Sequence, residues 1–592
     1  MRRVVLVVAA LALGVAPLAP AIAQPTAATA SRVSNATPAT RTPENHQNEP
    51  ALAVDAHRPN VLVSGWNEWG DAIPCPQQAA AEDGSCFAGP PGVGLSGVAF
   101  SFDSGRTWTQ PTYTGWTGRL CQPDPSCPGQ FGPIATLPWY YEAGLSSGGD
   151  PAVAIGPRPG AHGFSWANGS RVYYGNLVST ISGAFPSHEE LKGGGIAVSR
   201  LDNPTPARIR AKSSWFRPVI VNTRNSQTAF EDKDQIWADN ASSSRYFGNV
   251  YLCAAQFRSA SVHQQANAPA PLEVSVSRDG GTTWRTHQLT PATTGGHGPT
   301  EFGLSGCTVR TESTGVVHVF AEMFQNPAMV GLPTHGAHVE FTSTNGGRTW
   351  SRMHVLWRIT DPCFFVDPVE GRCVMDGYAG ARTDLAATPS VDIANGAPTG
   401  AGATNEIVDA WADASGGLNH EKAMVAWKRG GTWHGPTAVS LAGDRPIYAA
   451  PAISPNGSTA YVVYEAVRSP WRGADMTSPR PYRGVLLRSA IGGSGAPTGW
   501  AAAYVGPTGD LRGTYPGHDI YQERIGDYVY AIATRTYGAG VWTDARDAQV
   551  CPAVQSYRAA SLAAGTLALP APWPLHQCPR FGNTDIWAAT TG

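Results

Sequence analysis

Apolar and polar residues alternate with a period of two through most of the chain, in short runs closed by Gly, Pro, Asn or Asp. That period puts successive side chains on opposite faces of an extended strand, and no run carries a convincing helical period instead. A similar start recurs along the chain: Glu49-Pro50-Ala51-Leu52-Ala53-Val54, Asp150-Pro151-Ala152-Val153-Ala154-Ile155, and Asp234-Gln235-Ile236-Trp237-Ala238-Asp239. Later come Thr300-Glu301-Phe302-Gly303, Thr388-Pro389-Ser390-Val391-Asp392-Ile393, Ala450-Pro451-Ala452-Ile453 and Arg524-Ile525-Gly526-Asp527-Tyr528-Val529. Most are followed by a second run rich in aromatic and β-branched residues, at 61–66, 172–177, 250–257, 316–320, 407–411, 460–464 and 540–542.

A second repeat marks turns. It reads Ser101-Phe102-Asp103-Ser104-Gly105-Arg106-Thr107-Trp108, Ser277-Arg278-Asp279-Gly280-Gly281-Thr282-Thr283-Trp284 and Ser343-Thr344-Asn345-Gly346-Gly347-Arg348-Thr349-Trp350. In each, Asp or Asn can accept bonds from backbone amides, Gly can take positive φ, and Trp can cover the turn from the next strand. Weaker versions occur at Ser199-Arg200-Leu201-Asp202, Gly430-Gly431-Thr432-Trp433 and 488–500. Repeated hairpins without intervening helices predict an all-β chain folded as a β-propeller, small sheets set around an axis. Seven starts give seven blades; six is the alternative if one unit is an elaboration, and a β-sandwich would leave the repeated turns unexplained. No polar linker divides 49–592, which is expected to be a single domain. Asp585-Ile586-Trp587 would close the ring as an outer strand, and insertions at 70–97, 110–147 and 255–270 read as loops held by disulfides or prolines.

The first 23 residues read as a signal peptide: Arg2 and Arg3, an apolar run at 4–15, and the small-residue site Ala21-Ile22-Ala23. Pro17 and Pro20 and the short run argue against a membrane anchor, and no later segment would span a bilayer. Residues 24–48, rich in Ala, Thr and Pro, read as a disordered leader, so the protein is expected to be secreted. Ten cysteines in the exported part favour disulfides over metal ligation, with Cys75–Cys86, Cys121–Cys127, Cys253–Cys307, Cys363–Cys373 and Cys551–Cys578 as the suggested pairs. A formal charge of -2 without a basic stripe argues against nucleic acid as a partner. Nineteen tryptophans suit the stacking of sugar faces, although several must serve as turn caps.

The Ser-x-Asp-x-Gly-x-Thr-Trp pattern, with its Asn345 variant, resembles the Asp-box or bacterial neuraminidase repeat, and 49–587 looks like the sialidase-like propeller superfamily. The resemblance implies a propeller and a carbohydrate ligand; related folds include sialidases, other glycoside hydrolases, polysaccharide lyases and proteins that only bind glycans. The Arg-Ile-Pro segment expected of a sialidase is absent, and Asn48-Glu49-Pro50 stands in its place.

Working residues in a propeller belong on inner strands and the loops leaving them. Glu231-Asp232-Lys233-Asp234 sets three acids around one lysine, an arrangement that separates carboxylate pKa values or ligates calcium; Asp232 and Asp234 are the first candidates. Glu301, with Glu322 one strand away, is a further carboxylate candidate, and Arg382-Thr383-Asp384 could grip a sugar carboxylate two-pronged. Tyr521-Gln522-Glu523-Arg524-Ile525-Gly526-Asp527-Tyr528 is the densest cluster; Glu523 or Asp527 could activate the Tyr528 phenol, and Arg524 could orient an anionic sugar. Asp544 and Arg546 in the following Trp542-Thr543-Asp544-Ala545-Arg546 read as a structural pair across a turn. Trp66, Trp69 and Trp237 are candidate stacking platforms.

These residues point to a monomeric glycoside hydrolase acting on an extracellular polysaccharide or glycoconjugate, anionic ones included, by carboxylate acid/base chemistry, with no required cofactor and room for a structural calcium. A lyase would need Tyr528 with His188, His297 or His518 to take a proton beside a uronate carboxylate; a propeller that binds glycan without chemistry, or one that scaffolds protein partners, are the other readings. No Gly-x-Ser-x-Gly stands in a strand–turn–helix setting, and no His-Glu-x-x-His zinc motif occurs.

Overall fold

The structure is a computed structural model that describes residues 28–35, 46–71, 92–119, 129–181, 194–222, 229–258, 270–291, 302–325, 331–367, 373–376, 381–383, 385–514, 525–566, 568 and 578–592. Seven antiparallel sheets form a seven-bladed β-propeller, as the seven repeated starts predict. The inner strands are Gln47–Val54, Ala152–Gly160, Ala229–Ala238, Gly303–Thr311, Ser390–Ile393, Arg445–Ile453 and Tyr530–Ala533, opening blades 1 to 7. Within each blade the next strands pair outward in chain order, as in blade 3, where Val250–Arg258, Leu272–Ser277 and Arg285–Gln288 follow.

The ring closes with strands from both ends of the chain. Blade 7 runs Tyr530–Ala533, Gly538–Asp544, Asp585–Thr590 and then Thr29–Arg32, the last pairing Thr29 with Thr590 and Arg32 with Trp587. The segment expected to be a disordered leader therefore supplies the outermost strand, and Asp585-Ile586-Trp587 lies one strand further in than expected. Pairing the free edge of Asp585–Thr590 satisfies backbone groups that an exposed edge would leave open. A helix, Pro552–Ala564, is inserted in the same blade between Gly538–Asp544 and Asp585–Thr590. Strand-like alternation gave no sign of this helix; Pro552 in its first turn and Gly565 at φ 66° just past its end are the sequence marks of its limits.

The core is a ring of interfaces between blades. Period-two alternation sends neighbouring side chains to opposite neighbours, so Tyr174 packs toward blade 1 while Tyr173 packs toward blade 3. The Cys253–Cys307 disulfide crosses from blade 3 to blade 4, and Cys363–Cys373 and Cys551–Cys578 form as expected. Cys75, Cys86, Cys121, Cys127 and the expected signal peptide, residues 1–23, lie outside the described residues. No helix among the described residues is long and apolar enough to cross a membrane.

The three repeated turns join outer strands by one hydrogen-bond scheme. In blade 3, Ser277 Oγ donates to Asp279 Oδ1 at 2.8 Å, the Thr283 amide donates to the same oxygen at 2.9 Å, and Thr283 Oγ1 donates to Oδ2 at 2.6 Å. Gly281, at φ 81°, gives its amide to Ser277 Oγ at 2.8 Å. Asn345 replaces the acid in blade 4 and still accepts the Thr349 amide at 2.9 Å, now donating through Nδ2 to Thr349 Oγ1 at 2.7 Å. Asp279→Ala, which removes every acceptor, is expected to cost about 1–2 kcal/mol, and Asp279→Asn less than half of that. A denaturant titration checks this as a shifted midpoint at constant slope.

Candidate active site

The N-terminal ends of the inner strands converge on one mouth of the axial channel, and backbone irregularities there aim polar side chains inward. Pairing between the first two strands of a blade slips between Asn48 and Ala51, between Asp232 and Gln235, and between Ser305 and Thr308. The extra residue takes left-handed φ: Glu49 at 54°, Lys233 at 58° and Gly306 at 58°; Asp150, at 49°, does the same just before the blade 2 strand. Such bulges re-aim a side chain, and the strain of a non-glycine residue in this region is sustained by the surrounding contacts. Three blades thus present Glu49, Asp150 and Lys233 from matching positions, with Asp527 and Tyr528 arriving from the segment before blade 7.

Lys233 is the hub. Its Nζ lies 3.1 Å from Asp150 Oδ2, 2.9 Å from Asp527 Oδ2 and 3.6 Å from Asp232 Oδ1. Arg382 holds Asp527 from the other side, with Nε 3.0 Å from Oδ1 and Nη2 against Oδ2, and its Nη2 is also 3.7 Å from Glu49 Oε1. Tyr448 donates to the Arg382 carbonyl at 2.6 Å and to Asp527 Oδ1 at 3.1 Å. Glu49 accepts the Asp527 amide at 2.9 Å and Asn67 Nδ2 at 2.8 Å. Gly526 makes this approach feasible: a Cβ there would lie 2.0 Å from Glu49 Cγ.

This web drives the acids apart. Burial opposes ionisation of Asp527, but Arg382 and Lys233 outweigh it and hold the carboxyl far below its usual range. Asp150 is likewise lowered against burial, first by Lys233 and then by side-chain hydrogen bonding, Asp232 donating its proton. Asp232 goes the other way: burial and the Asp150 charge raise it to about 7 despite Lys233. Asp234 is raised well above the usual range, first by burial and then by Asp150 and Asp232; its carboxyl oxygens make no hydrogen bond among the described residues. Tyr528 Oη reaches Asp150 Oδ2 at 3.4 Å, and burial with the surrounding anions pushes the phenol well above its usual range. A proton-bearing Asp232 thus sits beside an ionised Asp150 that also accepts from a phenol.

A small cleft of about 40 Å³ among Lys233, Asp234, Thr308, Tyr448, Asp527 and Tyr528 has room for a few waters. A sugar ring would therefore sit above it, against Asp232 and Tyr528, whose side chains are only partly buried.

Of the expected residues, Asp232, Asp234, Arg382, Asp527 and Tyr528 come together here. The Tyr528 partner is Asp150, not Asp527, because Asp527 is saturated by Arg382, Lys233 and Tyr448. Glu301, Glu523, Arg524, Asp384 and His188, His297 and His518 lie outside the described residues. Glu231 faces away from the axis, accepting from Asn222 at 2.6 Å beside Glu273. Glu322 is buried on the second strand of blade 4, beside Asp361.

Trp66 is not a stacking platform: it is fully buried between blades 1 and 7, and its Nε1 donates to Glu68 Oε2 at 3.1 Å. Trp411 with Asp413 and Trp542 with Asp544 repeat that bond in blades 5 and 7. The Asp544–Arg546 pair forms as expected, at 2.7 Å. Trp237 lies toward the opposite end of the channel, under the Arg310 guanidinium at 4.6 Å. Trp69 is at the mouth end, partly buried beside His46. No group of three or more His, Cys, Asp or Glu among the described residues is placed to hold a metal ion.

The residues that sequence reasoning missed are Glu49, Asp150, Lys233 and Tyr448. The available signal was the alignment of Glu49-Pro50 with Asp150-Pro151, an acid before proline at the same place in two units.

No protein-family model matches the chain, and no curated protein matches it. Similar solved structures include a Hadza microbial sialidase, 14% identical with a TM-score of 0.39, over 71% of this chain and 63% of that one. Trypanosoma rangeli sialidase in complex with the inhibitor DANA is 11% identical with a TM-score of 0.37, over 76% and 56%. An α-L-arabinofuranosidase from Fusarium graminearum with an iminosugar inhibitor is 11% identical with a TM-score of 0.35, over 76% and 94%. The chain thus spans less than two thirds of the length of these two sialidases, and the functional reading rests on the mouth residues themselves.

Proposed function

We propose that the protein is a secreted glycoside hydrolase that cleaves an extracellular glycan at this mouth. The observation that carries the reading is the divided pair, Asp232 holding its proton to about pH 7 beside an Asp150 kept ionised by Lys233. Asp232 protonates the leaving glycosidic oxygen, and the Tyr528 oxygen attacks the anomeric carbon as its proton passes to Asp150. Water then attacks the same carbon, giving its proton to Asp232, while the phenolate leaves and recovers its proton from Asp150. The turn repeats that resemble Asp-boxes agree with such a scaffold. Arg382 is already neutralised by Asp527 and Glu49, which favours a neutral sugar over a sialate or uronate.

The same saturation supports a second reading, a propeller that binds glycan without cleaving it. A polysaccharide and aryl glycoside panel, read for both reducing ends and new double-bond absorbance, tests the choice. New reducing ends without unsaturation support hydrolysis; unsaturated products would establish elimination instead, and binding without either product would establish the second reading.

A further inference from the structure

The far half of the axial channel is built differently from the mouth. A cavity of about 340 Å³ lies among the later residues of the inner strands, within the size range of small-ligand sites, ~300–1,000 Å³. Its walls mix aliphatic side chains, such as Leu52, Val153, Ile155, Ile453 and Ile532, with polar ones that include Gln235, Asn240, Asn395 and the exposed Arg535, and Tyr530 borders both it and the cleft at the mouth.

One cation is buried in this wall. Arg310, 8% exposed, is fixed by Nη1, which donates to Gln235 Oε1 at 3.0 Å and to the Val309 carbonyl at 2.8 Å, and by the Trp237 ring at 4.6 Å. Its other edge is held, among the described residues, by Asp392 alone. The nearest anion to that edge is Asp392, with Oδ1 3.5 Å from Nε, an ion pair longer than a hydrogen bond; Asp392 Oδ2 accepts the Ile453 amide at 2.9 Å. The Nε–Nη2 edge of a guanidinium is the fork that takes both oxygens of a carboxylate, and a buried guanidinium makes such a bond stronger than an exposed one.

We infer that this cavity is a binding site for a small monocarboxylic acid with an apolar body, its carboxylate displacing the long Asp392 contact on the Nε–Nη2 edge of Arg310 and its hydrocarbon among the inner-strand aliphatics. The site is separate from the mouth and does not depend on the glycosidase reading. Asp392 competes with the incoming carboxylate for Arg310, so removing its charge should strengthen binding, an effect that a purely structural Arg310–Asp392 pair would not produce.

Calorimetric titration of the full chain with octanoate and benzoate tests the site, with octanol as the neutral analogue. Expected are one-to-one binding of an acid, octanol weaker by about tenfold or more, loss of about tenfold or more in Arg310→Met, and a several-fold gain in Asp392→Asn. The absence of saturable heat with both acids, equal binding of octanol and octanoate, or undiminished binding in Arg310→Met would overturn it. Should Arg310→Met prove unfolded by circular dichroism, the comparison of acid with alcohol and the Asp392→Asn variant decide the matter.

Discussion

Asp232→Asn is expected to lower kcat/KM on an unactivated neutral glycoside by about 10²–10⁴-fold while leaving the fold at least as stable as the parent at neutral pH. The activity loss follows from the role: the amide cannot give a proton to a leaving oxygen. An aryl glycoside with a nitrophenol leaving group needs little protonation, so its loss should be much smaller, a split that a merely structural residue would not produce. In the parent, kcat/KM should fall on the alkaline side with an apparent pKa near 7, as Asp232 loses its proton. The stability argument has the opposite sign from that of an ordinary salt-bridged acid. The folded pKa, about 7, lies above the ordinary value of 3.8, so the folded chain retains a proton that the unfolded chain releases between those values. Stability contributed by this group therefore declines as pH rises across that window. Asn mimics the protonated form and removes that decline, so the variant should gain on the parent between pH 5 and pH 8 in melting temperature. A kcat/KM within about threefold of the parent on the unactivated substrate would end the assignment of Asp232 as the acid.

How far the site could be read beforehand depended on whether its chemistry was local. Asp232, Asp234, Asp527 and Tyr528 stand in short charged or aromatic runs, which mark them before any fold is known. Glu49 and Asp150 appear only as the openings of repeats, and what turns them to the axis is a bulge with positive φ, a backbone property with no residue-type signature when glycine is not used. Lys233 was seen as a neighbour of the acids; its position among Asp150, Asp232 and Asp527 needs three blades to meet. Tryptophan misled for a related reason. Indole suits both sugar stacking and inter-blade packing, and only the face of the strand decides; the recurring Trp66-x-Glu68, Trp411-x-Asp413 and Trp542-x-Asp544 spacing was the clue to the structural role. The seven blades were legible because alternation and start residues repeat, whereas the closing strand Thr29–Arg32 pairs with residues at the other end of the chain and carries no local sign of its partner.

Lys233→Met is expected to cost about 3–5 kcal/mol of folding stability at pH 7, because it strips the cation from between buried carboxylates without removing them. The lost contacts are those to Asp150 at 3.1 Å and Asp527 at 2.9 Å; Asp527 keeps Arg382, so Asp150 bears most of the deficit. The pH dependence identifies the cause. Asp150 and Asp527 are lowered below their ordinary 3.8 in the fold, so their contribution is fully present above about pH 4 and is lost as pH falls through the lower folded values. Lys233 is raised well above 10.5, so its own contribution is complete below that pH and disappears only as pH rises through the higher folded value. The deficit of Lys233→Met should thus grow as pH rises through about 7, where Asp232 also ionises beside the missing cation, and shrink in acid, where the abandoned carboxyls can take up protons. Adding Asp150→Asn should recover part of the loss, since the amide needs no counter-charge, and the non-additivity of the pair measures their coupling. Denaturant unfolding of the single and double variants at pH 7 and pH 4 checks each step. A deficit below about 1 kcal/mol at pH 7, in the range of an exposed ion pair, would mean that water rather than Lys233 neutralises the mouth.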